Sequence, residues 1–160
     1  MPVQRVCPCP EGSTVVSCSW DKTCCLWSPT TNAQPQIKII LPGRAYALDY
    51  QNFHVSVGTA DHCVYYYDLR NTSQPQDMIR TNDNIVTCTT FLPNLSGMVA
   101  GFVEGLFILK MFNQQKGNQV YDQRITRKNN QTQRNQMSIH GLTDIHCNNN
   151  GYFVTAGLLI

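Results

Sequence analysis

At 160 residues the chain is long enough to bury one sizeable hydrophobic core and hardly two. Its 12 Lys and Arg residues nearly balance its 10 Asp and Glu residues, and a net charge of +2 gives no case for a nucleic-acid or membrane-surface protein. The sequence also lacks an apolar run of about 18 residues and a basic-then-apolar amino terminus, so it predicts neither a transmembrane span nor a signal peptide.

The eight cysteines show no C-x2-C spacing of the kind found in zinc knuckles. Cys24 and Cys25 are adjacent, and adjacent side chains of a strand point to opposite faces, so this pair cannot bind one ion. A nuclear or cytoplasmic chain keeps its thiols reduced. We therefore expect structural thiols, with no metal and no cofactor.

The chain repeats itself. The stretch "VVSCSWDKTCCLWSP" aligns with "VSVGTADHCVYYYDL", and Asp21 falls 40 residues before Asp61. A third copy, "MVAGFVEGLFILKMF", places Glu104 in the same column, and "FVTAGLLI" begins a fourth copy at the carboxyl end. Each copy reads as an apolar strand, a turn containing an acid, and a strand closed by an aromatic residue. The carboxylate suits the turn because it can accept hydrogen bonds from nearby backbone N–H groups.

A period near 40 residues with strand-like copies predicts an all-β protein, a propeller of four-stranded blades. The aromatics Trp27, Tyr67 and Phe112 would fill the space between blades. The predicted units are blades at about 3–42, 45–82 and 85–127, and a half blade at 141–160. Three and a half blades cannot close a ring, so we expect either a fragment of a longer protein or missing blades from another chain, and we favour the fragment.

Residues 113–136 are rich in Asn and Gln. We expect a solvated loop around one short outer strand there; the compositional alternative is a disordered, self-associating tract.

Several motifs, taken in order, carry a specific resemblance. They are "SWDKTCCLW", "LPGRAYALDY", "VSVGTADHCVYYYDLRN" and "FVEG". Together they resemble the middle blades of the WD-repeat family that contains the Bub-type spindle-checkpoint protein and its sister, the Gle-type (Rae-type) mRNA-export factor. The match covers roughly residues 3–157. The motifs divide between the two branches and lean slightly to the checkpoint branch.

The resemblance implies a rigid, non-enzymatic platform whose top face holds a short acidic segment of a partner. In the checkpoint branch the partner is a Bub-type kinase at the kinetochore; in the export branch it is an FG nucleoporin at the nuclear pore. Both imply a protein of the nucleus and cytoplasm, with no direct nucleic-acid or membrane contact. The residues implied for peptide binding are Trp20, Lys22, Arg44, Arg127 and Lys128.

The chemistry fits this expectation because a guanidinium can grip a carboxylate through two parallel hydrogen bonds. Arg127 matches the family's terminal Arg and is the strongest single candidate. Alternatives stay open for the others: Trp20 could simply pack on a neighbouring blade, Arg44 and Lys128 could be solvated charges, and we expect Tyr46 in the core. Asp61 and Glu104 are expected to hold their own turns.

Catalytic patterns are missing from the sequence. It contains no G-x-S-x-G, no Gly-rich phosphate loop and no zincin spacing among its four His residues. We predict a non-enzyme. Two further hypotheses are a WD-repeat adaptor of another complex, such as a ubiquitin ligase, and a truncated product without activity.

Overall fold

A computed structural model describes residues 1–9, 14–28, 30, 34–81, 84–103, 106–112, 119–124, 139–147, 150 and 153–159. These residues form 14 β-strands in three four-stranded antiparallel sheets and one two-stranded sheet. We call the sheets blades 1 to 4 in chain order. The predicted all-β architecture of about three and a half blades is confirmed, and the ring is not closed.

Within each complete blade the strands pair in chain order. Blade 1 contains β1 (Val3–Pro8), β2 (Val15–Ser19), β3 (Thr23–Trp27) and β4 (Ile37–Ile40). Blade 2 contains β5 (Ala45–Gln51), β6 (His54–Thr59), β7 (Cys63–Asp68) and β8 (Asp77–Arg80). Blade 3 contains β9 (Val86–Phe91), β10 (Gly97–Phe102), β11 (Leu106–Met111) and β12 (Gln119–Arg124), and blade 4 contains β13 (Ile139–Cys147) and β14 (Phe153–Leu159).

The first strands of successive blades lie next to each other: β1 contacts β5, β5 contacts β9, and β9 contacts β13. This is the arrangement expected of innermost strands around a propeller axis. The blades are held together by apolar side chains between them. Between blades 1 and 2 the buried cluster includes Val16, Cys18, Cys24, Val55 and Val57, and between blades 2 and 3 it includes Val64, Ile79, Val86, Met98 and Phe102.

Two of the three predicted aromatic closures lie between blades. Tyr67 is buried between blades 1 and 2. Phe112 follows β11 and stacks on Tyr66 of blade 2, with ring centroids 5.0 Å apart and an interplanar angle of 11°. Trp27 differs: it is half-buried, and its indole N–H donates to the Ser17 hydroxyl of its own blade at 2.8 Å.

The turns between second and third strands repeat the same backbone geometry. Lys22 in blade 1 has a φ of 66° and His62 in blade 2 has a φ of 61°. Each is the third residue of a three-residue hairpin loop, where a left-handed residue completes the reversal of the chain. The amide N–H of Lys22 donates to the Ser19 carbonyl at 3.3 Å, as a type I turn requires. The repeat seen in the sequence is therefore also a repeat of backbone conformation.

The acids of these turns stabilise them, as expected, by accepting hydrogen bonds, and the donors differ between the two turns. Asp21 accepts the Thr23 amide N–H at 3.0 Å and the Thr23 hydroxyl at 2.6 Å. Asp61 instead accepts side-chain hydroxyls, from Thr59 and, at 2.6 Å, from Tyr65. Glu104 lies outside the described residues.

Gly58 on β6 lies directly against Val86 of blade 3. A Cβ at this position would lie 2.4 Å from Cγ1 and 2.8 Å from Cβ of Val86, and 3.0 Å from Cβ of Ala47. Val86 is fully buried and β-branched, so it cannot rotate away. Glycine is therefore required here by the space between the blades.

We expect Gly58→Ala to lower the free energy of unfolding by about 1–3 kcal/mol through overpacking. Adding Val86→Ala should restore part of that loss, because it removes Cγ1, the atom nearest to the new methyl group, while Cβ of residue 86 stays. Urea unfolding of the two single variants and the double variant measures this. A double variant whose loss equals the sum of the two single losses would contradict the direct clash.

Candidate protein-binding face

One end of blades 1 and 2 carries the turns that follow their second strands and the connection between the two blades. The Leu41 amide N–H donates to the Lys22 carbonyl at 2.7 Å, and the Ala60 amide N–H donates to the Arg44 carbonyl at 2.8 Å. The connection is thus fastened to both turns. We call this surface, formed by residues 20–22, 43–46 and 60–62, the turn face.

Trp20 stands on the turn face and is half-buried. Its ring meets the ring of Tyr46 from blade 2 edge to face, with centroids 6.1 Å apart and an interplanar angle of 72°. Its indole nitrogen is buried and has no hydrogen-bond partner among the described residues. Trp20 therefore packs on the neighbouring blade, which was one of the two alternatives, while part of the side chain stays accessible.

Tyr46 is half-buried, so the expectation that it belongs to the core is wrong. The pairing of β5 with β6 is irregular at this point: Ala45 packs in the cluster between blades 1 and 2, and Ala47 packs in the cluster between blades 2 and 3. The tyrosine between them remains partly open to water.

The side chains of Lys22 and Arg44 are both exposed. In the sequence Lys22 follows Trp20 by two residues, and Arg44 precedes Tyr46 by two residues. Asp21, between Trp20 and Lys22, is exposed as well, but the hydroxyl of Thr23 donates to its carboxylate and lowers its pKa. This carboxylate is engaged by its own turn. The two cations remain available to an incoming group.

Arg127 and Lys128, the other two residues implied for peptide binding, lie outside the described residues, as does most of the tract at 113–136. The last described strand of blade 3, β12, ends at Arg124. The structure thus brings Trp20 next to Tyr46 and puts Lys22 and Arg44 on the same face, and it leaves the role of Arg127 and Lys128 a prediction.

A cavity of about 270 Å³ opens where the inner strands meet, next to the turn face. Its walls come from all four blades, and Tyr46 is the residue that joins it to Trp20. The lining residues are Gln4 and Arg5 from β1, Tyr46 from β5, Ile85, Val86 and Thr87 at the start of β9, and Thr143 from β13.

The guanidinium of Arg5 reaches across the cavity. Its Nη2 donates to the carbonyl oxygen of Thr143 at 3.2 Å, which connects the first and last blades. Sequence reasoning missed Arg5. In the sequence Arg5 lies at the start of the predicted blade at about 3–42, but no local pattern marks it as a site residue.

The buried thiols of the described region are poor candidates for chemistry. Burial raises the pKa of Cys18 to about 12 and also raises that of Cys24, so neither thiol ionises near neutral pH. The cysteines are all free, and six of the eight are buried. Among the described residues no group of three or more His, Cys, Asp and Glu side chains is arranged to hold a metal ion.

Asp49 on β5 is a half-buried acid. Burial raises its pKa, and its carboxylate accepts the amide N–H of Phe91 at 2.7 Å. Because Asp49 lies on β5 and Phe91 on β9, this bond joins the inner strands of blades 2 and 3. Its role here is structural. None of the helical segments that the structure describes is long and apolar enough to cross a membrane.

Comparison with known proteins agrees with this architecture. The family model for the WD domain, G-beta repeat, matches residues 1–28. The solved WD40 β-propeller domain of Doa1 superimposes with a TM-score of 0.72 at 15% identity, over 97% of this chain and 47% of that chain. A chain of the mitotic checkpoint complex gives a TM-score of 0.73 at 12% identity, over 96% of this chain and 45% of that chain. At these identities the likeness shows the fold alone.

A curated relative is similar in sequence. The mitotic checkpoint protein BUB3.1 of Arabidopsis thaliana is 34% identical over 104 residues, which are 62% of this chain and 31% of that protein. The chain thus spans about a third of the length of this relative and somewhat less than half of the solved propellers. The fold is a WD-repeat β-propeller, present here as an open section, and the resemblance to the WD-repeat family of the Bub-type checkpoint protein is confirmed over the matched region.

Proposed function

We propose that the chain is part of a non-catalytic WD-repeat scaffold of the spindle assembly checkpoint, which docks a Glu-containing segment of a partner protein on its turn face. The partner would be a checkpoint kinase of the Bub type, and the place of action the kinetochore in mitosis. The observation that carries the proposal is the combination of Trp20, half-buried against Tyr46, with two exposed cations on the same face.

The physical case rests on what such a face can bind. Trp and Arg are enriched among interface residues whose removal costs most affinity. Trp20 is held in place by Tyr46, so it loses little conformational freedom when a partner arrives. Lys22 and Arg44 supply charge for a Glu side chain, and the neighbouring Asp21 and Asp61 carboxylates are already occupied by hydroxyl donors of their turns. Arg127 and Lys128 remain part of the proposal as further cations.

The choice of pathway rests on similarity. The sequence relative, 34% identical over 104 residues, carries a mitotic checkpoint name. This similarity favours the checkpoint branch over mRNA export, which the sequence motifs had left nearly level. It supports a checkpoint scaffold more than an adaptor of some other complex.

The test is capture of partners from mitotic extract by the tagged 160-residue chain, followed by mass spectrometry. We expect a Bub-type kinase, and we expect Lys22→Gln with Arg44→Gln to reduce its recovery roughly tenfold, since two exposed charge contacts together are worth about 1–2 kcal/mol. The matched control is Lys38→Gln with Arg70→Gln, which removes the same charge from exposed residues away from the turn face.

Three outcomes would contradict the proposal. Equal loss of the kinase in the two double variants would mean that net charge acts and not the turn face. A nucleoporin recovered in both mitosis and interphase would move the function to mRNA export. Recovery of chaperones alone would favour a truncated product without activity.

A further inference from the structure

We infer that the cavity beside the turn face is a subsite for one carboxylate-bearing side chain of the partner, and that Arg5 is the residue that binds the carboxylate. This inference rests on the proposed peptide-docking function and adds to it a residue and a pocket that the turn-face residues do not include. It is carried by the composition of the cavity wall and by its connection to Trp20.

The cavity wall combines a cationic group with aliphatic surface, which suits an anionic side chain that has an apolar stem. Among its described residues Arg5 is the one charged side chain, and no Asp or Glu lines the cavity. Gln4, Thr87 and Thr143 add polar groups, while Ile85, which is 47% exposed, supplies aliphatic surface. A Glu side chain matches both parts, because its two methylene groups suit the aliphatic wall and its carboxylate suits the guanidinium.

Arg5 is oriented and has donors to spare. Arg5 is exposed, and one of its terminal nitrogens donates to the Thr143 carbonyl at 3.2 Å, which holds that edge of the guanidinium toward β13. A guanidinium carries five N–H donors, and among the described residues this is the one hydrogen bond that its side chain makes. The remaining edge can donate to a carboxylate in the two-bond geometry.

The size of the cavity limits the ligand. Its volume, about 270 Å³, lies below the range of about 300–1,000 Å³ typical of sites for drug-sized molecules. One side chain of a longer peptide fits this volume better than a free metabolite does. The peptide would run from the cavity past Tyr46 to Trp20, because the Tyr46 ring touches the Trp20 ring on one side and lines the cavity on the other.

Trp20 also provides the measurement. The chain has two tryptophans, so Trp27→Phe leaves Trp20 as the single reporter beside the cavity. The probe is the peptide acetyl-Leu-Glu-Leu amide, titrated to millimolar concentration while Trp20 emission is followed, with acetyl-Leu-Gln-Leu amide as the uncharged comparison. We expect the Glu peptide to bind at least about tenfold more tightly than the Gln peptide, as a charge-assisted hydrogen-bond pair predicts.

Three variants test the role of Arg5. Arg5→Gln should weaken binding of the Glu peptide by about tenfold or more and leave the Gln peptide unaffected. Arg5→Lys should retain part of the affinity, because it keeps the charge and loses the planar fork. Arg70→Gln, at an exposed arginine paired with Asp68, should change nothing. Circular dichroism checks that each variant is folded.

If Arg5→Gln does not fold, Ile85→Glu replaces it as the deciding variant. Ile85 is 47% exposed and lines the cavity, so a carboxylate there can be tolerated and would compete with the peptide for Arg5. Loss of Glu-peptide binding in Ile85→Glu supports the inference. Unchanged binding in either variant, or equal binding of the Glu and Gln peptides, overturns it.

The outcomes separate this inference from the proposed function. If kinase recovery falls in the Lys22 and Arg44 double variant while the affinity for the Glu peptide is unchanged by Arg5→Gln, the scaffold function stands and the subsite is wrong. If the affinity for the Glu peptide falls with Arg5→Gln while kinase recovery is unchanged in the double variant, the subsite stands and the turn-face assignment is wrong.

Discussion

Replacing Phe102 by alanine is expected to lower the free energy of unfolding by about 3–5 kcal/mol, the range measured for truncating a buried Phe. Phe102 ends β10 and is 1% exposed, among the largest of the fully buried side chains. It belongs to the cluster that joins blade 2 to blade 3, with Val64 and Ile79 on one side and Met98 on the other. A domain of this size is stable by about 5–15 kcal/mol, so the loss is a large fraction of the total.

Urea unfolding followed by circular dichroism measures this change, with the slope of the transition showing whether unfolding stays two-state. The matched control is Phe53→Ala. Phe53 is 42% exposed in the β5–β6 turn, with the Arg70 guanidinium 6.0 Å from its ring centre, and its loss should cost less than about 1 kcal/mol. Equal effects of the two substitutions would mean that the packing between blades 2 and 3 contributes little to stability.

Most of the fold could be predicted from the repeat in the sequence, because the signals in each repeat act between residues that are close together in the chain. Each unit combines alternating apolar residues with an acid two residues before the next strand, and both signals act within a few residues of the chain. That is why the turns at Asp21 and Asp61, the aromatics Tyr67 and Phe112, and the number of blades could be predicted. The turn geometry at Lys22 followed from the hairpin even though neither glycine nor asparagine stands there.

The candidate site was harder to predict because it depends on contacts between blades. Trp20 could be placed on a turn, but its contact with Tyr46 depends on how blade 2 sits against blade 1, which no local pattern encodes. Arg5 could be placed in the first blade, but the cavity it lines is formed by four strands that lie far apart in the sequence. Family resemblance supplied Lys22 and Arg44 and was silent on Arg5.

A buried ion pair between blades also escaped prediction. Nζ of Lys110 on β11 lies 2.7 Å from Oδ1 of Asp77 on β8, with the lysine side chain 7% exposed and the aspartate side chain 22% exposed. In the sequence Lys110 stands in the apolar run "LFILKMF", where a lysine suggests a strand facing water. The pair forms because β8, the outer strand of blade 2, lies against β11, the third strand of blade 3.

Lys110→Met is therefore expected to lower the free energy of unfolding by about 3 kcal/mol, the lower end of the range for breaking a buried pair, because Asp77 keeps some contact with water. Methionine preserves the length of the stem, so the loss reports the charge and not a cavity. The exposed pair of Arg70 and Asp68 is the comparison: Arg70→Met should leave the free energy of unfolding essentially unchanged, since its partner is solvated.

A double-mutant cycle with Asp77→Asn isolates the pair. The Asp77 carboxylate also accepts the amide N–H of Met78 at 2.7 Å, and asparagine can keep that bond through its side-chain oxygen. If the ion pair stabilises the contact between blades, the double variant should be more stable than the sum of the single losses predicts, by about 1–3 kcal/mol. Additive losses would mean that each group acts alone. The contact between the blades would then be stabilised by burial of their apolar clusters, and the charge of Lys110 would be tolerated there without contributing to stability.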